Sequence, residues 1–472
     1  MFLHGMEIPM IRSRHCNRGK MEDDMNNLSE QYLLTTSIAE QLYWEMAAEL
    51  PIIDYHNHLS VPDLMGNRRF ENITQLWVAN DRYKHRAMRI LGVPEELITG
   101  NASDEDKFRA WCRVYPKLVG NPLYDWSGME LKKIFGIDLS ISDENTEKIW
   151  KEANEKLCLP EYTAGGLVNQ FQSEYLAPCT SIVDSVDVFM NTPNLAPSLR
   201  GDDMMLPTPD FLRKLSEASG IKITDYFSYQ EAIIKCLDVF HAVGCRFADH
   251  ALDNGFEFID EFPSTDCICN ILAGEEFTDT DRRKFFSEMI NFLAIEYAKR
   301  GWVLQLHIGA ERFTSSKLRH MVGPAGGFSG IGNTVNIQSL VKLLDHLEQA
   351  QGELPKTILY NMNPADNAAF AVMSGSFRGV TQGPAWWWCD HLHGMREMLE
   401  VFNCFSVLWS FVGMTTDSRS ILSLLRHDYF RRMLCGWIGE KVVRGELPES
   451  ADTLKPLIYD MCYGNARQLI IK

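Results

Sequence analysis

Residues 51–58, Pro51-Ile52-Ile53-Asp54-Tyr55-His56-Asn57-His58, decide the fold. A short apolar run closes on polar side chains, which is how a buried parallel strand looks where it emerges at its C-terminal end. Before it, residues 36–49 (TSIAEQLYWEMAAE) carry apolar positions at helical spacing behind a Thr or Ser cap. After it, residues 62–165 are rich in charges and aromatics and read as a mainly helical insertion. Further strands are predicted at 176–183, 195–200, 245–252, 303–309, 357–361, 378–383 and 411–416. Helical patterns at 281–300, 335–349, 394–405 and 427–444 alternate with them or follow them. With the first strand this makes eight, and the alternation predicts an α/β chain folded as a (β/α)8 TIM-like barrel. The competing open, doubly wound sheet lacks its Gly-x-Gly-x-x-Gly after the first strand. Residues 29–472 are read as one barrel domain carrying the 62–165 insertion, and residues 1–28 as an N-terminal segment expected to be partly mobile.

The chain has 472 residues, of which 45% are hydrophobic and 23% charged, an ordinary balance for a globular protein. Its net charge of −17 argues against nucleic acid or a membrane surface as a partner. It would also repel an anionic substrate, so a site for one must supply its own arginines. Twelve cysteines lie scattered with no Cys-x-x-Cys pair, which reads as reducing cytoplasm. No signal-peptide pattern is seen at the N-terminus. The most apolar charge-free stretch, 401–416, is shorter than the ~20 residues of a membrane helix. A homo-oligomer is expected.

Functional residues of such a barrel sit at the C-terminal ends of strands. His56-x-His58 ends the first strand, and at a period of two both imidazoles point the same way. Two neutral imidazoles suit Zn²⁺ or another divalent ion. The last strand of a barrel neighbours the first, so Asp417, after 411–416, can reach the same ion or move a proton. Asp417 also suits a helix N-cap. His307 and the pair Asp249-His250 end two further strands. Arg200 and Arg419 can each fork onto a carboxylate with two hydrogen bonds. Trp386, Trp387 and Trp388 either wall a sugar pocket or pack in the core. The glycine-rich run 323–332 lacks the Gly-Lys-Ser/Thr of a phosphate loop and reads as a flexible loop that could serve as a lid.

Four stretches together resemble the uronate isomerase family of the amidohydrolase superfamily: PIIDYHNHLSVP (51–62), LWVANDRYKHRAMRILGV (76–93), QLHIGAERF (305–313) and VGMTTDSRSILSLLRHDYFRRMLC (412–435). The resemblance runs from about Ser29 to Lys472. It implies a distorted (β/α)8 barrel that interconverts D-glucuronate with D-fructuronate and D-galacturonate with D-tagaturonate. It implies a single metal, usually zinc, on His56, His58 and Asp417, with His307 at a further histidine position of the site. It matches Tyr83 to a tyrosine of proton transfer and Arg419 to an arginine beside the strand-8 aspartate, and it puts Asp249 and Arg200 on further polar site positions. The sequence departs from the family in carrying Arg82 where a histidine is usual. It also has Thr180-Ser181-Ile182-Val183-Asp184-Ser185 in place of a Thr-Thr-Asp-Asp-Pro run, and different surroundings for Asp390.

On this reading Tyr83 moves the C2 proton and Asp417 moves hydroxyl protons. Arg200 and Arg419 orient the sugar acid, with Arg82 the next candidate and Trp386 a wall. Two rivals stand beside it: a metal-dependent hydrolase on the same scaffold, and a sugar-acid-binding homologue without catalysis. Hydrolysis has no need of Tyr83 or paired arginines, and turnover separates an enzyme from a binding protein.

Overall fold

The structure, a computed structural model, describes residues 28–471 apart from 191, 325, 352 and 353. The expectation of a mobile segment at 1–28 lies, Leu28 aside, outside the described residues. The strands are β1 (Ile52–Asn57), β2 (Ser173–Ser181), β3 (Ser198–Arg200), β4 (Phe247–Leu252), β5 (Val303–Ile308), β6 (Ala310–Glu311), β7 (Gly330–Ile331), β8 (Thr357–Asn361) and β9 (Val380–Gln382). Seven of them form one parallel sheet in the order β1-β2-β3-β4-β5-β8-β9. β1, β5 and β8 are buried along their whole length. A strand covered on both faces needs no polar alternation, and this is why these three read as apolar runs.

Helices Pro209–Ser219 and Tyr226–Ala242 link β3 to β4, Asp279–Lys299 links β4 to β5, and Asn367–Ser376 links β8 to β9. The sheet curls, and Ile53, Tyr55, Tyr175, Phe247, Val303, Ile358 and Tyr360 pack together inside it. A much larger apolar cluster includes residues from the sheet and the surrounding helices. Between β1 and β2 the chain runs through short helices, among them Ile73–Trp77, Arg82–Ile90, Asp104–Val114 and Thr146–Leu157. Helix Arg426–Val443 is buried on nearly every side. Its Gly436 and Gly439 admit residues 33–39, since a Cβ there would stand 2.2 Å from the Leu33 carbonyl oxygen and 2.3 Å from Thr36 Oγ1.

One expectation is corrected. Residues 411–416 lie beside β1, as a closing strand must, but they form no strand ladder among the described residues. Side chains replace the ladder. Tyr55 donates its hydroxyl to the Gly413 carbonyl (3.0 Å), and the His56 amide donates to Thr415 Oγ1 (2.9 Å). The buried Asp54 carboxylate accepts from Thr415 Oγ1 (2.8 Å), the Thr416 amide and Thr416 Oγ1 (both 2.7 Å). Gly413 (φ 91°) and Asp417 (φ 46°) also leave the extended region, so a regular strand cannot continue through either. Just beyond, the Asp417 amide donates to the His56 carbonyl (3.0 Å) and the His58 amide to the Ser418 carbonyl (2.9 Å).

The glycine-rich run 323–332 makes contacts at Gly327 and at its end. Its end pairs as β7 with β6, across helix Ser316–Val322. A Cβ on Gly327 (φ 77°) would meet the Arg82 carbonyl oxygen at 2.8 Å, so the run packs directly on that backbone.

Candidate active site

A cavity of about 220 Å³ opens at the C-terminal ends of the strands. His56, His58, Arg82, Tyr83, Arg200, Arg312, His307, Trp386, Trp387, Asp417 and Arg419 are among the residues that line it. The sequence reading placed most of these at one rim, and the fold brings them together. Asp417 Oδ1 lies 3.2 Å from His56 Nε2 and 3.0 Å from His58 Nε2. Its other oxygen accepts from the Trp386 indole N–H at 2.7 Å. Trp386 therefore holds Asp417 as well as walling the cavity. Burial alone would raise the Asp417 carboxyl, but hydrogen bonds from the two imidazoles outweigh it and hold the group well below the carboxylate range. Burial likewise lowers His56 and His58, while the Cys179 sulfur and Asp417 outweigh it and raise both.

His307 is buried, and neither ring nitrogen has a hydrogen-bond partner. Its ring stacks on Tyr360 with centroids 4.5 Å apart, and it stands 4.5 Å from His56 and 4.7 Å from Trp386. Burial and the nearby His56 keep this imidazole neutral by pushing it well below its ordinary value. A buried imidazole with both nitrogens unsatisfied costs free energy unless a ligand completes it. Ligand-type atoms of His56, His58 and Cys179 lie within 4.8 Å of one another, and so do those of His56, Asp249 and His307. Imidazoles that can give up a proton, a thiol and a carboxylate in one cluster form a group that could hold a divalent cation.

Two arginines behave differently from two others. Arg200 bonds Asp249 and sits 2.6 Å from Asp202, and β3–β4 register sets Arg200 opposite Asp249. Asp249 is fully buried behind it and also accepts from Cys179 Sγ at 3.5 Å. Arg312, which sequence reasoning missed as a site residue, grips Asp253 through Nε at 2.7 and 2.9 Å. Arg82 and Arg419 face the cavity with no carboxylate within ion-pair distance among the described residues. Burial and then Arg419 push the Arg82 guanidinium down, and burial pushes Arg419 down more than Asp417 restores it. An unpaired, half-desolvated cation is costly, and an anion entering the cavity would relieve that cost.

Arg82 and Tyr83 open helix Arg82–Ile90, whose N-cap Asp81 accepts from the Tyr83 amide (2.9 Å) and the Lys84 amide (3.1 Å). The buried Lys84 bridges Asp81 (2.6 Å) and Glu130 (3.2 Å), which locks this helix start to the insertion. The Tyr83 hydroxyl donates to the buried carboxylate of Asp390, whose oxygens lie at 2.8 and 2.9 Å. Arg426 Nη1 bonds Asp390 Oδ2 at 3.0 Å, and its guanidinium lies 4.8 Å above the Tyr83 ring. Arg426 was legible only as part of a helix; its burial beneath the site has no signal in the sequence.

The model of the glucuronate isomerase family matches residues 25–470. This chain belongs to the glucuronate isomerase family. The chain is 39% identical to a uronate isomerase of Marinomonas sp. (strain MWYL1) over 464 residues, covering 94% of this chain and 99% of that protein. It is 38% identical to one from Salmonella paratyphi B, covering 93% and 98%. Among solved structures, a uronate isomerase from Thermotoga maritima superposes with a TM-score of 0.88 at 29% identity, covering 94% of this chain and 99% of that one. A glucuronate isomerase from Caulobacter crescentus gives 0.87 at 20% identity, covering 95% and 97%, a likeness of fold. The distorted barrel of this glucuronate isomerase family member is thus shared by solved relatives across nearly its whole length.

Proposed function

We propose that this chain is a uronate isomerase that interconverts D-glucuronate with D-fructuronate and D-galacturonate with D-tagaturonate. One observation carries the reading: two cations without carboxylate partners, Arg82 and Arg419, face the same cavity as Tyr83 and the His56–His58–Asp417 cluster. They suit the carboxylate of a sugar acid, which a chain of net charge −17 would otherwise repel. This shifts the expected clamp from Arg200 with Arg419 to Arg82 with Arg419, because Arg200 is already engaged by Asp249 and Asp202.

The reading includes a divalent metal, zinc first, held by His56, His58 and Asp417, with His307 beside it. The unsatisfied nitrogens of His307 and the approach of Asp417 Oδ1 to His56 Nε2 and His58 Nε2 support that assignment, and Cys179 and Asp249 are further donors around His56. When bound, such an ion supplies Lewis-acid polarisation of a sugar oxygen. The remaining work falls to the chain. Arg82 and Arg419 hold the carboxylate, Trp386 and Trp387 face the sugar's CH groups, and Tyr83 moves the proton between C2 and C1. Asp417 is suited to moving the hydroxyl proton from O2 to O1. A reducing cytoplasmic location is part of the reading, supported by scattered cysteines that form no disulfide among the described residues. The test is ketose formation from D-glucuronate and D-galacturonate, with a neutral aldose of equal size as control. Turnover of neither acid refutes the reading.

A further inference from the structure

Tyr83 faces the cavity, yet its hydroxyl proton is already committed to Asp390, a residue behind the cavity wall. Asp390 is 6% exposed and Arg426 is 3% exposed, so this pair is largely shielded from water. Arg426 bonds only one of the two carboxylate oxygens, Oδ2, which leaves Oδ1, 2.8 Å from the phenol oxygen, open to a proton. The Arg426 guanidinium also lies 4.0 Å from the Trp126 ring, so aromatic faces fix it in place. Nothing in holding a tyrosine ring requires a desolvated carboxylate; a neutral side chain would do so at lower cost.

We propose that Asp390, held by Arg426, is the proton relay partner of Tyr83. The inference rests on the isomerase reading above. As the C2–H bond breaks, its electron pair forms the C1=C2 bond of the enediol, the C1=O π pair passes to O1, and the C2 proton goes to the Tyr83 oxygen. In the same step the original phenolic proton passes to Asp390 Oδ1. The O2 hydroxyl proton moves to O1, an O2 electron pair forms the ketose C2=O as the C1=C2 pair takes the proton back from Tyr83 onto C1, and Tyr83 recovers its own proton from Asp390. Substrate becomes ketose and the dyad ends as it began, so the balance needs no other reactant. Tyr83 thereby acts as a base without ever becoming a phenolate. That is the form which burial, first, and the Asp390 charge, second, disfavour most. Burial also raises the proton affinity of Asp390 above that of an ordinary carboxylate, against the opposing pull of Arg426. Asp390 acts through Tyr83 and touches no substrate, so it is a positioning residue in the strict sense.

Asp390→Asn keeps the size of the side chain and an oxygen that can accept from Tyr83, but that oxygen takes no proton. Its kcat should fall by roughly 100-fold or more while KM changes by less than about threefold. The solvent deuterium isotope effect on kcat should be larger in the wild type than in the variant, whose remaining effect comes from the O2-to-O1 hydroxyl proton alone. Asp390→Glu should recover part of the rate. Adding Asp390→Asn to Tyr83→Phe should lower kcat no further than Tyr83→Phe alone. If Asp390→Asn does not fold, as judged by thermal melting, Asp390→Asn with Arg426→Gln removes both buried charges and should show the same loss. An active wild type with Asp390→Asn retaining kcat to within about threefold overturns the relay alone. A wild type that isomerises neither uronate overturns the functional reading, and the relay with it.

Discussion

Replacing Arg82 or Arg419 by methionine should weaken catalysis while leaving the protein as stable as before or more so. The two halves of this expectation have one cause. Each guanidinium is half-buried beside the cavity without a carboxylate partner among the described residues, and this partial burial disfavours its charge. Methionine fills a similar volume and carries no charge, so the folded state loses a desolvation cost and gives up no ion pair. A charge-assisted hydrogen bond contributes about 1.5–3 kcal/mol. At 1.4 kcal/mol per decade, losing one to the substrate carboxylate should lower kcat/KM by roughly 10- to 100-fold. The assay is ketose formation from both uronates, run against a neutral aldose of the same size, with Tm measured in parallel. The neutral sugar should lose little, so discrimination between acid and neutral substrate should collapse. The reasoning is refuted for either arginine whose replacement lowers Tm sharply or leaves that discrimination intact. That residue would then be structural.

Arg200→Met should behave in the opposite way. It strands the fully buried Asp249 carboxylate, a loss of about 3–5 kcal/mol, visible in urea unfolding, and stability unchanged within 1 kcal/mol would contradict the Arg200–Asp249 pairing. Protein purified without chelator should carry about one divalent ion per chain by elemental analysis, and His56→Asn with His58→Asn should remove it; full metal retention in that double variant would move the ion to other ligands. Raising NaCl from 0.01 to 0.2 M, which shortens screening from about 30 to about 7 Å, should leave kcat/KM for a uronate flat or higher. The long-range field of a −17 chain is repulsive to the substrate, and a clear fall with salt would show that capture depends on a positive outer field instead.

Much of the fold was readable because its central strands are covered on both faces. β1 and β5 begin as short apolar runs and carry His56 and His307 toward their C-terminal ends, where the cavity lies. The 411–416 segment shows where such reading stops. Its run Phe411-Val412-Gly413-Met414-Thr415-Thr416 has the composition of a strand, but its backbone partners are taken by Asp54, Thr415 and Tyr55 side chains. That competition is set by residues more than 350 positions apart, so no local pattern reports it. Of the site, the convergence of His56, His58 and Asp417 followed from strand 1 and strand 8 being neighbours. The state of Arg200 did not, because it depends on β3–β4 register, which sets Arg200 level with Asp249. Arg312 and Arg426 were hidden for a related reason. An arginine on a helix or loop reads as a surface residue until tertiary packing shows what lies over it.

The charge layout follows from these pairings. Four arginines surround one cavity in an acidic protein, and the fold neutralises two of them with its own carboxylates: Arg200 with Asp249 and Asp202, Arg312 with Asp253. Had all four been left free, their mutual repulsion would have opposed folding. Had all four been paired, a substrate carboxylate would have had to displace an internal one, with no net gain. Leaving Arg82 and Arg419 unpaired puts the unmatched positive charge on the side of the cavity shared with Tyr83 and Asp417. The insertion after β1 is what allows this. Asp81, Lys84 and Glu130 pin the start of helix Arg82–Ile90, so Arg82 and Tyr83 are presented to the cavity together from one rigid turn. On the proposed reading, carboxylate grip and proton transfer are then fixed relative to each other by two adjacent residues. A shift of that turn would be expected to degrade binding and rate together, whereas a change at Asp390 touches only the rate.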